Sequence, residues 1–165
     1  MDDPLQQVLS INLAAFTFSE QLPIISASLA VILLLICSAL ISGSEVAYFS
    51  LGPAELGEIE GKDDKAIGIL HNLLERPKRL LATILIANNF INVAIVILST
   101  YLSDLLIDHS LSELTQFVIQ VVVVTFLLLL LGEVIPKVYA NKKPLSLAKF
   151  MAQPLYYIRG VLTPI

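Results

Sequence analysis

The chain has 165 residues, 56% of them hydrophobic and 15% charged, with a mean hydropathy of +0.84 and a formal net charge of −4. Soluble domains are roughly 45–50% apolar and about 25% charged, so the composition excludes a soluble globular domain, and the acidic balance argues against nucleic-acid binding. The single cysteine, Cys37, sits inside an apolar run, which rules out a disulfide framework.

Residues 1–23 carry Asp2, Asp3 and Glu20 and no basic residue. The apolar stretch that follows therefore lacks the basic flank of a signal peptide, and it is too long for a signal-peptide core. A membrane-spanning helix needs about 20 predominantly apolar residues. Three stretches meet this: about 24–51, 80–102 and 115–135. The expected fold is an all-α membrane protein with three spans.

Segment 54–75 alternates Leu56, Ile59, Ile67, Leu70, Leu73 and Leu74 with acidic and basic residues, which predicts an amphipathic juxtamembrane helix pair lying on the inner leaflet, broken near Gly61. The tail 144–165 is apolar but interrupted by Lys149, Arg159, Pro154 and Pro164. It reads as a short interfacial or half-inserted helix pair, with a fourth span as the alternative. All ten Lys and Arg fall either between the first two spans or after the third. By the positive-inside rule the N-terminus is outside and the C-terminus cytoplasmic.

Each span carries polar groups where hydrocarbon is the default. They are Ser38, Ser42, Gly43, Ser44 and Glu45 in the first, Asn88, Asn89 and Asn92 in the second, and Gly132, Glu133 and Pro136 in the third. Such residues usually face the protein interior and often mark an ion path. Ser38 and Ser42 share one helix face, as do Asn88 and Asn92. In an α-helix the N–H of residue 136 would bond the carbonyl of residue 132. Pro136 has no N–H, so the Gly132 carbonyl is expected to be free beside the Glu133 carboxylate. Hydroxyls, carboxamides, a carbonyl and a carboxylate form an all-oxygen set, which suits hard cations such as Mg²⁺, Ca²⁺ or Na⁺. His71 and His109 lie outside the spans, which argues against a soft-metal site.

Bland readings stand beside this one. Glu133 and Lys137 are four apart and could form an interfacial ion pair. The serines could be helix-packing residues and the asparagines interhelical hydrogen-bond partners. Glu45 could face an inner vestibule or pair with a lysine.

Three stretches, "SALISGSEVAYFSL", "LLATILIANNFIN" and "LLLGEVIPK", resemble in order and spacing the transmembrane domain of the CorC/CNNM (cyclin M) family of magnesium transporters. The resemblance covers most of the chain from about residue 30. It implies a non-enzymatic homodimer in a bacterial inner membrane that exports Mg²⁺ by alternating access, with sodium as the proposed coupling ion. It also implies one dehydrated ion site per protomer. Ser38, Ser42, Asn88, Glu133 and the Gly132 carbonyl would be the ligands, with Asn92, Ser44 and Pro136 in support. Ala87 departs from the family, many of whose members have glycine there. Relatives continue into cytosolic CBS modules that bind ATP, so the resemblance implies that this chain is an excised membrane domain. The competing function is a non-transporting, ion-sensing membrane scaffold of a secretion or gliding-motility assembly.

Overall fold

The computed structural model describes residues 4–59, 65–106 and 112–162, and these are helical apart from short links. Seven α-helices follow in order: α1 (Pro4–Phe49), α2 (Pro53–Ile59), α3 (Lys65–Leu74), α4 (Pro77–Leu106), α5 (Glu113–Leu127), α6 (Ile135–Lys142) and α7 (Pro144–Leu162). A π-helical stretch, Leu128–Val134, joins α5 to α6. Three segments are long and apolar enough to cross a membrane: Gln21–Phe49, Pro77–Leu106 and Glu113–Lys142. The third extends seven residues beyond the expected end at 135, because the π stretch carries the chain past Pro136 without ending the helix.

Proline punctuates the chain where helices begin. Pro53, Pro77 and Pro144 each open a helix, a position where the missing N–H costs nothing. Lys143, just before Pro144, is forced out of the helical region (φ −140°, ψ 60°), which separates α6 from α7. At the start of α2, the Glu55 carboxylate accepts the Gly52 N–H at 3.0 Å, half of a capping box. Ser112 caps α5 by accepting the Thr115 N–H at 3.3 Å.

The core lies at the end of the bundle that carries the basic residues. Ile67, Leu70 and Leu73 of α3 are buried with Tyr48, Leu80, Met151 and Leu155 in one cluster. The Tyr48 hydroxyl donates to the Ala148 carbonyl at 2.9 Å within it. Two expectations change here. The apolar face of 54–75 is spent on the protein's own core, with α3 against α7 and α4, rather than on lipid, since Ile59, Ile67, Leu70 and Leu73 are all at most 4% exposed. The tail is one helix, α7, not a pair; Pro154 sits within it on an exposed face. The expected break near Gly61 lies outside the described residues, as does Pro164.

The far end is built differently. No residue of α5 is buried. Residues 1–23, read from sequence only as an extracellular segment, enter α1 from Pro4 onward, and α1 continues through Pro23.

Candidate functional site in the span bundle

Ser38 of α1 is fully buried. Its hydroxyl lies 2.9 Å from the Asn92 Oδ1 and 3.2 Å from the Asn88 Oδ1. The i, i+4 spacing on α4 aims both carboxamides at the same point. A serine has one proton, so it cannot fully satisfy two acceptors. Gly132 closes the third side: a Cβ added there would stand 3.0 Å from the Ser38 Oγ. Glycine at 132 lets the helix backbone come this near the hydroxyl. One turn along α1, Ser42 is 1% exposed. Its hydroxyl is buried without a hydrogen-bond partner among the described residues, although buried polar groups are normally paired.

Around Pro136 the helix ladder differs from the α-helical expectation. The Ile135 N–H donates to the Leu130 carbonyl, an i→i−5 rung. The α ladder restarts with Val134 as its cap. The carbonyls of Leu131, Gly132 and Glu133 lie between these rungs. With no N–H on Pro136, only the Lys137 N–H can serve them from the ladder. Gly43 admits this distorted segment: its missing side chain leaves Pro136 O only 3.4 Å from where a Cβ would be.

Glu133 is half-buried, next to Gly132. The Glu133–Lys137 ion pair does not form among the described residues. Lys137 instead pairs with Glu45 of α1, Nζ to Oε2 at 3.2 Å. The wider π turn moves residues four apart off a common face, so the i, i+4 expectation fails there. Of the two sequence readings of Glu45 the structure shows the pairing with a lysine; Glu45 also lines an open cleft of about 400 Å³ with Val46, Phe49, Ser50 and Leu81. Ser44, expected in support, gives its proton to the Leu40 carbonyl at 2.6 Å and acts as a helix back-bond. Asn89 is exposed and outside the cluster, and Ala87 is packed in the core.

Among the described residues no three His, Cys, Asp or Glu side chains come together. A cation here would rest on one carboxylate and neutral oxygens. Sequence reasoning missed the π stretch, and it offered a lysine as a partner for Glu45 without identifying Lys137. The Leu run before Gly132 carries no signal that separates π from α.

The model of the "Cyclin M transmembrane N-terminal domain" matches residues 29–165. Over 146 residues the chain is 26% identical to a "UPF0053 protein" of Haemophilus influenzae, covering 88% of this chain and 34% of that protein. Over 121 residues it is 30% identical to the "UPF0053 inner membrane protein YfjD" of Escherichia coli, covering 72% of this chain and 27% of that protein. The chain thus spans about a third of the length of these curated relatives. With three apolar spans and a family match over most of its length, this integral membrane protein belongs to the cyclin M transmembrane-domain family.

Proposed function

We propose that the protein is the membrane domain of a divalent-cation transporter that carries Mg²⁺ as its substrate, working as a homodimer by alternating access, with export and sodium coupling as the expected mode. The observation that supports this most is the orphan Ser42 hydroxyl beside a cluster where Ser38, Asn88 and Asn92 hold more lone pairs than protons. A cation would satisfy those oxygens together with a carbonyl freed near Gly132, and Glu133 would supply the neutralising charge. Mg²⁺ takes six oxygens at roughly 2.0–2.1 Å and gives up water reluctantly. One carboxylate leaves a positive centre, so binding is weak, which suits release during transport. The cleft at Glu45 would be the route from the basic end, which the positive-inside rule assigns to the cytoplasm.

Two substitutions test the reading. Glu133→Gln should abolish stabilisation by Mg²⁺ and Mg²⁺ flux in liposomes while the protein still folds. Ser42→Ala removes a buried unsatisfied group, whose burial costs about 1–3 kcal/mol. The cation-free protein should melt at the same or a higher temperature, yet bind Mg²⁺ more weakly. Unchanged Mg²⁺ affinity in both variants makes the cluster a packing device. Flux by the protein alone in liposomes excludes the scaffold reading. For orientation, cysteines placed at Ser103 and at Lys142 in a Cys37→Ser background should be labelled from opposite sides.

A further inference from the structure

At the basic end, α3, the start of α4 and the end of α7 enclose a cavity of about 500 Å³, lined by Asn72, Glu75, Arg76, Arg79, Tyr156, Arg159 and Gly160. Among the described residues that line it, three are arginines and one, Glu75, carries a carboxylate. Arg159 is held in place: it donates to the Asn72 backbone carbonyl at 3.3 Å and to the Asn72 Oδ1, and it stands 5.4 Å from the centre of the Tyr156 ring. A guanidinium fixed in this way has already lost most of its side-chain freedom, so little more is lost when it binds an anion. The N-terminus of α4, a 30-residue helix, adds positive potential at Arg76 and Arg79.

The setting argues for a lipid-borne anion. Arg79 stands at the mouth of the second span, where water meets hydrocarbon. The α7 face beside the cavity exposes Phe150, Tyr157 and Val161 at 65%, 68% and 77%, surface that acyl chains would cover. Tyrosines at this level are typical of the membrane interface, and planar guanidinium forks match phosphate oxygens. The cavity is also far larger than a free phosphate ion needs. We propose that it binds the phosphate headgroup of an anionic glycerophospholipid from the leaflet at the basic end, with Arg79 and Arg159 as the principal contacts. Neither residue belongs to the cation cluster, and the site is independent of what that cluster transports.

The test measures the melting temperature of the purified protein in an uncharged detergent. It is titrated separately with dioctanoylphosphatidylglycerol, dioctanoylphosphatidylcholine and inorganic phosphate. Phosphatidylglycerol should stabilise saturably and phosphatidylcholine should not. Arg79→Gln should weaken the phosphatidylglycerol affinity by about fivefold or more. Arg159→Gln should do the same, and Lys142→Gln, a basic residue outside the cavity, should leave it unchanged. Arg159 also braces Asn72, so if that variant fails to fold, Arg79→Gln decides. Equal stabilisation by the two lipids overturns anion recognition. Stabilisation by phosphate but not by phosphatidylglycerol overturns the lipid source. Undiminished phosphatidylglycerol affinity in Arg79→Gln overturns the assignment to this cavity.

Discussion

The two ends of the span bundle are held together by different physics. At the basic end, α2, α3 and α7 wrap the termini of the spans and bury a cluster of Leu, Ile and Met side chains around Tyr48. That part could belong to a soluble protein: apolar surface leaves water, and each fully buried leucine contributes about 1.5–3 kcal/mol. At the far end α5 has no buried residue, and α1 leaves Leu22, Ile25, Leu29, Ile32 and Leu33 more than half or about half exposed. In lipid no hydrophobic driving force pulls such helices together, so exposed Leu and Val there are no defect. The cluster of Ser38, Asn88 and Asn92 sits between the two regimes, where helices are packed by the basic-end core but still belong to the spans. Small residues follow the same division. Ala27, a small residue of α1, is 6% exposed and packed within the protomer, whereas the large apolar side chains around it are not.

The largest effect should come from the basic-end core. Leu73 is fully buried, and Leu73→Ala should cost about 2–5 kcal/mol, read as a fall in melting temperature in detergent. A change under ~1 kcal/mol would mean that the basic-end helices do not set stability. Next is Gly132→Ala. Its Cβ would press on the Ser38 hydroxyl at 3.0 Å, and overpacking of this kind costs about 1–3 kcal/mol. The gain in helix propensity, about 1 kcal/mol, offsets part of it. Ser38 can escape only by leaving Asn88 and Asn92, so Mg²⁺ stabilisation should fall by more than the melting temperature does. Equal losses in both would reduce Gly132 to a packing position.

The spans, the all-α class and the polar residues of the cluster were legible from hydropathy and composition, because lipid tolerates few alternatives to an apolar helix. The same spacing rule that aligned Asn88 with Asn92 failed at Glu133 and Lys137, which lie on either side of the junction between the π stretch and α6. Helix register inside a run of leucines is set by what packs against it, and neither Gly43 nor Pro136 discloses that partnership until both are placed in space. Arg159 reaching Asn72, 87 residues away in sequence, has no local signature at all.

A smaller effect is expected at that ion pair. Lys137 and Glu45 are 39% and 31% exposed, so solvent screens them and their pairing contributes ~1 kcal/mol or less. Glu45→Gln should lower the melting temperature slightly and slow Mg²⁺ flux by removing a carboxylate from the cleft. If flux is unchanged, the cleft is not the route.

The smallest effect belongs to the far end and is the most informative about assembly. Val122 of α5 is 60% exposed. If it meets only lipid, Val122→Ala exchanges one hydrocarbon contact for another, and stability should move by no more than ~0.5 kcal/mol at any protein concentration. If a second copy covers α5, the same substitution opens a gap in a packed interface. It should then cost about 0.5–1.5 kcal/mol, as removal of small apolar groups does in cores, and the loss should grow as protein is diluted in detergent, because association stabilises by mass action. Melting curves of parent and variant over a hundredfold range of protein concentration separate the two. A concentration-dependent loss would extend the packed regime across the whole bundle in the assembled protein. A flat response would confine any contact between copies to surfaces other than this face of α5.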